Sequence, residues 1–589
     1  MRYSKNSLMA STVAACVLAS AWSSGAAERS SLPPGSSLDI RPTPNADGNY
    51  NILFLVTDQE RYMDNYPAGT AYEARKLLAE LGTTFEKHYN CATMSTSSRS
   101  VMYTGQHIPH TKMIDNTDFE WQGPLSPQMT TVGDLMRDAG YYSAYKGKWH
   151  MANASTLQDV EDELTDLGEY GFADWNVSGD YIGKMWEGYE KDPEIVSHAV
   201  QWLQTTGMGK NREGKSFFLP VNLINPHDVM YYNTDPTFRG PIPVGGAPND
   251  PVYQKSYDVP IAASWNQNLS DGTLPAALAL NKKFMERQTG AITTAEGWKS
   301  YQDYYFNCIQ DSDDNLKNIL QALIDLGMLN NTIVVFTADH GEMAGSHGMK
   351  SKGSYMYEEN IHVPLMIYHP EVKGGQRVRS VTSHIDLVPT FVHMARLSDE
   401  KRAAILGKLP GGNLLPLLRG VATSIREGAL FCAELISLTM AQGHMTPSGK
   451  IYYSFDTNVR GMVRAVITER YKFARYFSTD FNTPQSMEEL LRRNDIELYD
   501  LVNDPGELRN LAHDPEANQQ LILELNALLN TLISREIGAD NGTEVTDAIN
   551  SYLAQFARSG GGSSGCHVGV SPAETVLLLL PLLGLGRRK

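Results

Sequence analysis

Three short pieces of the chain, far apart in sequence, carry the residue types that one reaction centre needs: Asp58-Gln59, Ser95-Thr96-Ser97-Ser98-Arg99 and Asp339-His340. Two carboxylates, an amide oxygen and a ring nitrogen can hold a divalent cation, since hard ions favour oxygens and manganese or zinc also accepts imidazole. The hydroxyl of Ser95 is a weak nucleophile at its ordinary pKa, and metal coordination is one way to activate it. Such a centre suits attack on a charged ester of sulfate or phosphate. Cations and donors fixed around the transferring group stabilise the charge spread over its equatorial oxygens. Taken alone, the run from Ser95 to Ser100 also reads as a polar turn.

The elements that must position these residues flank them in the sequence. Residues 51–57 (NILFLVT) are too few and too rich in β-branched and aromatic types for a helix, which predicts a buried strand delivering Asp58 at its carboxyl end. Residues 332–338 (TIVVFTA) repeat that design and deliver Asp339 and His340. In open α/β sheets, ligands bind beyond the carboxyl ends of the strands. The pattern further predicts helices over 71–81, from Ser95, over 131–139 and over 299–326, with a strand over 141–145 leading into Lys148. This alternation implies a mostly parallel sheet flanked by helices. A helix starting at Ser95 would aim backbone N–H groups at an anion. Residues 228–297, rich in Pro, Gly, Asn and Tyr, are expected to form long substrate-facing loops. Within and beside them, Tyr231, Tyr232 and Trp265 either line the pocket or pack toward solvent. Beyond about residue 420 the character changes to strands over 427–433, 463–468 and 471–477 and a helix over 515–534.

Six blocks occur in order: 51–59, 95–106 (STSSRSVMYTGQ), 147–150 (GKWH), 225–227 (NPH), 337–359 (TADHGEMAGSHGMKSKGSYMYEE) and 497–511 (ELYDLVNDPGELRNL). Together they resemble the sulfatase family of the alkaline phosphatase superfamily, and six ordered blocks are far more specific than one tetrapeptide. The resemblance implies an alkaline-phosphatase-like α/β fold over 49–420, a smaller C-terminal α+β subdomain over 421–555, and sulfuric ester hydrolase activity. It implies Ser95 as the nucleophile, in a Cys/Ser-x-Pro-x-Arg pattern whose first residue is converted to formylglycine after synthesis. Ser97 stands where that pattern has Pro or a small residue. Conversion by a formylglycine-generating enzyme and retention of a plain serine both stay open here. The plain serine corresponds to the alternative of a phosphodiesterase or phosphonate monoester hydrolase. A binding relative without turnover, motivated by Ser97 and Gln59, is the third.

The same resemblance implies Asp58, Gln59, Ser95, Asp339 and His340 as ligands of one divalent metal ion, calcium first, with manganese or zinc as alternatives. The Asp-Gln and Asp-His pairs look more like choline sulfatases and phosphonate monoester hydrolases than like relatives with Asp-Asp and Asp-Asn. The alternative for Gln59 is an amide bonded to a neighbouring loop. Arg99 is implied to orient the nucleophile, with Lys148 and His150 beside it. His227 and Lys352 are implied to contact the ester oxygens, either one supporting the departing alcohol. His150 is the general-base candidate, because an imidazole ordinarily titrates nearest neutrality. His347 is expected to shape the adjacent loop from outside the site.

At 589 residues the chain is long for one core and suggests two folded units with processing segments at each end. Its hydrophobic fraction of 42% is ordinary for a globular protein. A formal net charge of −17 argues against a nucleic-acid partner and leaves attraction of an anionic ester to local cations. Arg2 and Lys5, an apolar stretch over 8–22 and Gly25-Ala26-Ala27 outline a signal peptide over 1–27, followed by a Ser/Pro/Gly-rich linker over 28–48. Cys16 after Val13-Ala14-Ala15 also resembles a lipoprotein box. Over 556–589, a Gly-rich segment with Cys566, an apolar run over 576–586 and Arg587-Arg588-Lys589 resemble a bacterial sorting tail trimmed by a protease. That run is roughly half of a membrane span. Both ends point to export to the periplasm, surface or surroundings of a Gram-negative bacterium. The expected partner is a small-molecule or carbohydrate sulfate ester, export favouring a polymeric carbohydrate. Between the two ends Cys91, Cys308 and Cys432 allow at most one disulfide and show no metal-ligand spacing. Cys91 is out of register with Arg99 and is not the nucleophile.

Overall fold

The computed structural model describes residues 31–152, 167–175, 180–446 and 449–557. The expected leader, and the expected tail beyond residue 557, lie outside them. Every residue of the strands Asn51–Asp58, Phe217–Pro226 and Thr332–Ala338 is buried. Near-continuous apolar runs behave this way when helices cover both faces of a parallel sheet. Asn51–Asp58 lies between the other two and parallel to both, with Leu53 opposite Leu219 on one side and Val334 on the other.

Among the described residues this sheet has eight strands. Its order is Tyr142–Ser143, Phe217–Pro226, Asn51–Asp58, Thr332–Ala338, Leu365–Tyr368, Thr83–Phe85 and Gln376–Val378, with Lys146–Gly147 also paired to Phe217–Pro226. Leu365–Tyr368 runs antiparallel to both neighbours, and the remaining pairs are parallel. Side chains alternate faces along a strand, so the central strand divides the core. Ile52, Phe54 and Val56 pack with Val132, Leu135 and Phe391, whereas Leu53 and Leu55 pack with Leu77, Ile195 and Leu316.

The flanking helices include Glu73–Leu81, Val132–Asp138, Glu187–Trp202 and Ala295–Asp325. Caps explain two of the starts. Thr131 Oγ1 accepts from Gly133 N while Asp134 Oδ2 accepts from Thr131 N, and Thr294 Oγ1 accepts from Gly297 N. The strand expected over 141–145 is instead broken in two. Its second part turns at Gly147, where φ is +87° and an added Cβ would meet Asn222 O at 2.0 Å, a conformation and approach that need glycine.

Residues 228–297 are not loop throughout, because they contain the helix Ala276–Thr289. Its buried face is Ala277, Leu278, Asn281, Met285 and Thr289, too small and polar to mark an apolar period. The 31–48 arm lies along the flank of the sheet domain, with Leu32 N donating to Glu73 Oε2 at 2.7 Å and Thr43 N to Asn330 O at 2.9 Å.

A second, antiparallel sheet follows, in the order Ala429–Ala433, Met462–Ile467, Tyr471–Phe477 and Asp495–Asp500. The helix Gln519–Glu536 packs on it through Ile522, Leu525 and Leu529 against Leu430 and Phe473. Polar contacts join this sheet to the loop after Lys352: Lys472 Nζ lies 2.6 Å from Glu358 and 2.8 Å from Glu507, and Tyr357 Oη donates to Glu497 at 3.0 Å. Cys91, Cys308 and Cys432 are buried free thiols. Among the described residues, no helix is long and apolar enough to cross a membrane.

Candidate active site

Asp58 is the last residue of its strand, and Asp339-His340 follow directly on the parallel neighbour, so all three reach one sheet end. The helix Ser95–Thr104 begins opposite them, with all ten of its residues buried. Ser95 Oγ lies 2.8 Å from His340 Nε2. His340 Nδ1 faces the carbonyl of Gly341 at 3.1 Å, which places its proton there and leaves Nε2 a lone pair. One ligand atom each from Asp58, Asp339 and His340 falls within 4.8 Å of the others, all three residues being buried.

Arg99 holds this cluster from behind. Its Nη2 donates to Asp58 Oδ2 and its Nε to Asp339 Oδ2, each at 3.0 Å, while Nη1 reaches Lys148 O and Asn222 Oδ1 at 3.0 Å. Lys148 Nζ adds a second cation 2.8 Å from Asp58 Oδ2. Burial raises the Asp58 pKa, but Lys148, His227 and Arg99 outweigh it and hold the carboxyl well below its ordinary value. Asp339 is pushed up to about 7 by burial and by the Asp58 carboxylate beside it. Burial, reinforced by Lys352, keeps the His227 and His340 rings well below the ordinary imidazole value. Burial likewise lowers Lys352 to about 8.

These residues fit a divalent cation. Asp58 Oδ1 is buried and, among the described residues, without a hydrogen-bond partner. His340 Nε2 stands 3.7 Å from that oxygen and 3.7 Å from Asp339 Oδ1. Two carboxylate oxygens, an imidazole nitrogen and the Ser95 hydroxyl thus face one another, a donor set that hard or borderline divalent ions accept. The Gln59 amide is engaged differently. Its Oε1 accepts from Lys352 Nζ at 2.6 Å and its Nε2 donates to Glu342 Oε2 at 2.5 Å.

The remaining expected groups surround the cluster. His150 sits in a left-handed turn at φ +54°, its N–H donating to Asp180 Oδ2 at 2.6 Å and its carbonyl accepting from Thr96 Oγ1 at 2.7 Å. Both its ring nitrogens are buried and, among the described residues, without hydrogen-bond partners. His227 is buried, its Nδ1 without a hydrogen-bond partner among the described residues, against Gly183, where an added Cβ would lie 2.4 Å from the ring. Buried Asp192 fixes the approach to it by accepting from Ile224 N and Asn225 N at 2.7 and 2.9 Å. Tyr231 lies against His227 with ring centroids 5.7 Å apart, whereas Tyr232 stacks on Tyr304 and Trp265 packs in the same aromatic cluster. His347 stacks on Tyr357 with ring centroids 3.7 Å apart.

Three supporting residues escape the motif blocks or their expected roles. Asn222 ties Arg99 to Tyr103, and a polar residue inside the apolar run 217–224 is the signal that marks it. Glu342 accepts from Gln59, Ser351 N and Ala344 N, so it shapes the loop carrying Lys352. Asp180 holds the Trp149-His150 backbone and has no local sequence signal.

Known proteins resemble this chain in sequence and in fold. The Sulfatase family model matches residues 50–397. Arylsulfatase K of Gallus gallus is 25% identical over 503 residues, covering 83% of this chain and 84% of that protein. A solved 2-O GAG sulfatase superposes with a TM-score of 0.59 at 21% identity, over 83% of this chain and 92% of that one. The phosphonate monoester hydrolase of Agrobacterium radiobacter superposes with a TM-score of 0.58 at 19% identity, over 83% and 96% of the two chains. The central sheet and its flanking helices are therefore the alkaline-phosphatase-like fold.

Proposed function

The chain belongs to the sulfatase family, and from that premise we propose that it hydrolyses a sulfate ester by attack of the Ser95 oxygen on sulfur. The observation that carries this reading is Ser95 Oγ at 2.8 Å from the lone pair of His340, inside the buried Asp58–Asp339 cluster. Asp58, Asp339, His340 and Ser95 would hold a divalent cation, calcium first and manganese or zinc as alternatives, with Gln59 the weakest candidate ligand. When bound, that ion supplies positive charge that favours loss of the Ser95 proton and offsets charge on the ester oxygens.

The protein's own groups account for the rest. Arg99 keeps both carboxylates in place, and Lys148 and Lys352 put ammonium groups beside the position of the ester oxygens. The Ser95 oxygen gives up its proton and bonds to sulfur while the bond from sulfur to the alcohol oxygen breaks. That oxygen takes a proton from Lys352, which the proton lost by Ser95 replaces, and the neutral His227 ring supports the departing alcohol by a hydrogen bond. His150, whose ring nitrogens make no hydrogen bond among the described residues, accepts the proton in the second half. With a plain serine, water attacks sulfur and the Ser95–sulfur bond breaks. With hydrated formylglycine, the second hydroxyl loses its proton, the carbon–oxygen bond to the sulfated oxygen breaks, and the aldehyde re-forms.

Ser97 supports a second reading, a phosphodiesterase or phosphonate monoester hydrolase with unmodified Ser95. Mass spectrometry of the peptide spanning Ser95, with sulfate release from an aryl sulfate and turnover of an aryl phosphodiester, separates the two. A peptide two hydrogens lighter with sulfate release supports the sulfatase; an intact serine with diester turnover alone supports the rival. The relatives named above favour aryl or carbohydrate sulfates as substrate class. The leader and tail sequences support export, which cell fractionation tests.

A further inference from the structure

Asp118 is placed beside His150 and, among the described residues, is hydrogen-bonded to none of the reacting groups. Its segment is held rigidly: Asn116 Oδ1 accepts from Thr96 N at 3.2 Å, Thr117 N donates to Thr96 Oγ1 at 3.3 Å, and Asp115 Oδ2 accepts from Trp121 Nε1 at 3.2 Å. Thr96 adjoins Ser95 and also binds the His150 carbonyl, so Asp118 is fixed relative to the nucleophile. Its side chain is 30% exposed, and its Oδ1 lies 3.5 Å from His150 Nε2. That Oδ1 is nevertheless buried and, among the described residues, accepts no hydrogen bond, His150 pairing with it only when its ring is protonated. Lys148 faces Asp58 and Lys352 faces Gln59. A buried acceptor without a donor is unfavourable in a free protein, and a carboxylate beside a sulfate site repels the sulfate itself. Both are offset when the other half of the substrate brings a donor.

Resting on the sulfatase reading above, we propose that Asp118 recognises the alcohol half of the substrate by accepting a hydrogen bond from a hydroxyl near the esterified carbon. The substrate class is then an uncharged carbohydrate or polyol sulfate rather than a simple aryl sulfate. Sites built around a substrate hydroxyl reject analogues that lack it, because their own polar group is left unpaired.

The test uses the full chain and its Asp118→Asn and Asp118→Ala variants, with matched melting temperatures as a check of folding. Probes are 4-nitrophenyl sulfate, a panel of methyl glycoside monosulfates, and deoxy analogues of the best glycoside. We expect kcat/KM on the best glycoside to fall roughly 10- to 100-fold in either variant, the range of a hydrogen bond to a charged group. On 4-nitrophenyl sulfate the loss should stay under about threefold, and on the deoxy analogue it should vanish, as a double-mutant cycle requires. Equal losses on all probes would overturn the proposal and make Asp118 a positioning residue for His150. Unchanged kinetics on every probe would overturn it as well. Wild-type protein that releases sulfate from none of the probes refutes the parent reading too, and is seen before any variant is compared.

Discussion

Replacing Arg99 by methionine is the sharpest test of how the buried charges are balanced. Arg99 is fully buried and spans Asp58 and Asp339 with two charge-assisted bonds, besides two bonds to Lys148 O and Asn222. Removing one partner of a buried ion pair leaves its counter-charge uncompensated, at a cost of about 3–5 kcal/mol. Lys148 still faces Asp58, so the loss should fall mainly on Asp339. Thermal unfolding in chelator, which removes any contribution from a bound ion, should show a clearly lower midpoint for Arg99→Met. Adding Asp339→Asn to that variant should recover part of the loss, because the carboxylate left unpaired is then neutral. Arg99→Lys should fall between, since one ammonium cannot reproduce a planar fork bonded to two carboxylates. Arg99→Met stability within about 0.5 kcal/mol of wild type, the range of an ordinary surface change, would refute this account of the cluster.

Chelation should abolish activity, and re-addition of calcium, manganese or zinc in turn should restore it with one ion clearly best; full activity after exhaustive chelation would remove the cation from the scheme. Stability should rise with pH between about 4 and 6.5 and level off above on account of His347 and His369. Burial holds both rings at about 4, against about 6.5 when unfolded, so in that window the unfolded chain binds more protons. Melting curves from pH 4 to 7 check this, and His369→Asn should flatten the slope. Ser97→Pro should leave the melting temperature nearly unchanged, because residue 97 lies in the first helical turn, where a missing N–H is tolerated. If peptide context limits formylglycine formation, the same change should raise the converted fraction seen by mass spectrometry.

The strands bearing Asp58 and Asp339 are plain in the sequence because both are buried on both faces, which demands unbroken apolar runs. Long-range placement followed from them, since two parallel neighbours necessarily bring their ends together. The helix Ala276–Thr289 is hidden because its buried side contains Asn281 and Thr289, with Asn281 bonded to the Ser354 carbonyl across the fold. Arg75 is equally silent: nothing local shows that it is buried between Glu60 and Asp313, the latter more than two hundred residues away. The Gln59 amide shows the limit within the site. Its position beside Asp58 suggests a ligand, yet its backbone φ of +72° accompanies a side chain bonded to Lys352 and Glu342. Only the folded loops supply those partners.

The most direct measurement is sulfate release from 4-nitrophenyl sulfate by wild type, Ser95→Ala and Asp339→Ala, purified side by side and matched for folding. Turnover by wild type and a loss of at least about 1,000-fold in both variants is expected, because nucleophile and carboxylate act as one unit. Turnover by Ser95→Ala within about tenfold of wild type, a change too small for loss of a nucleophile, would contradict the assignment of the reacting oxygen.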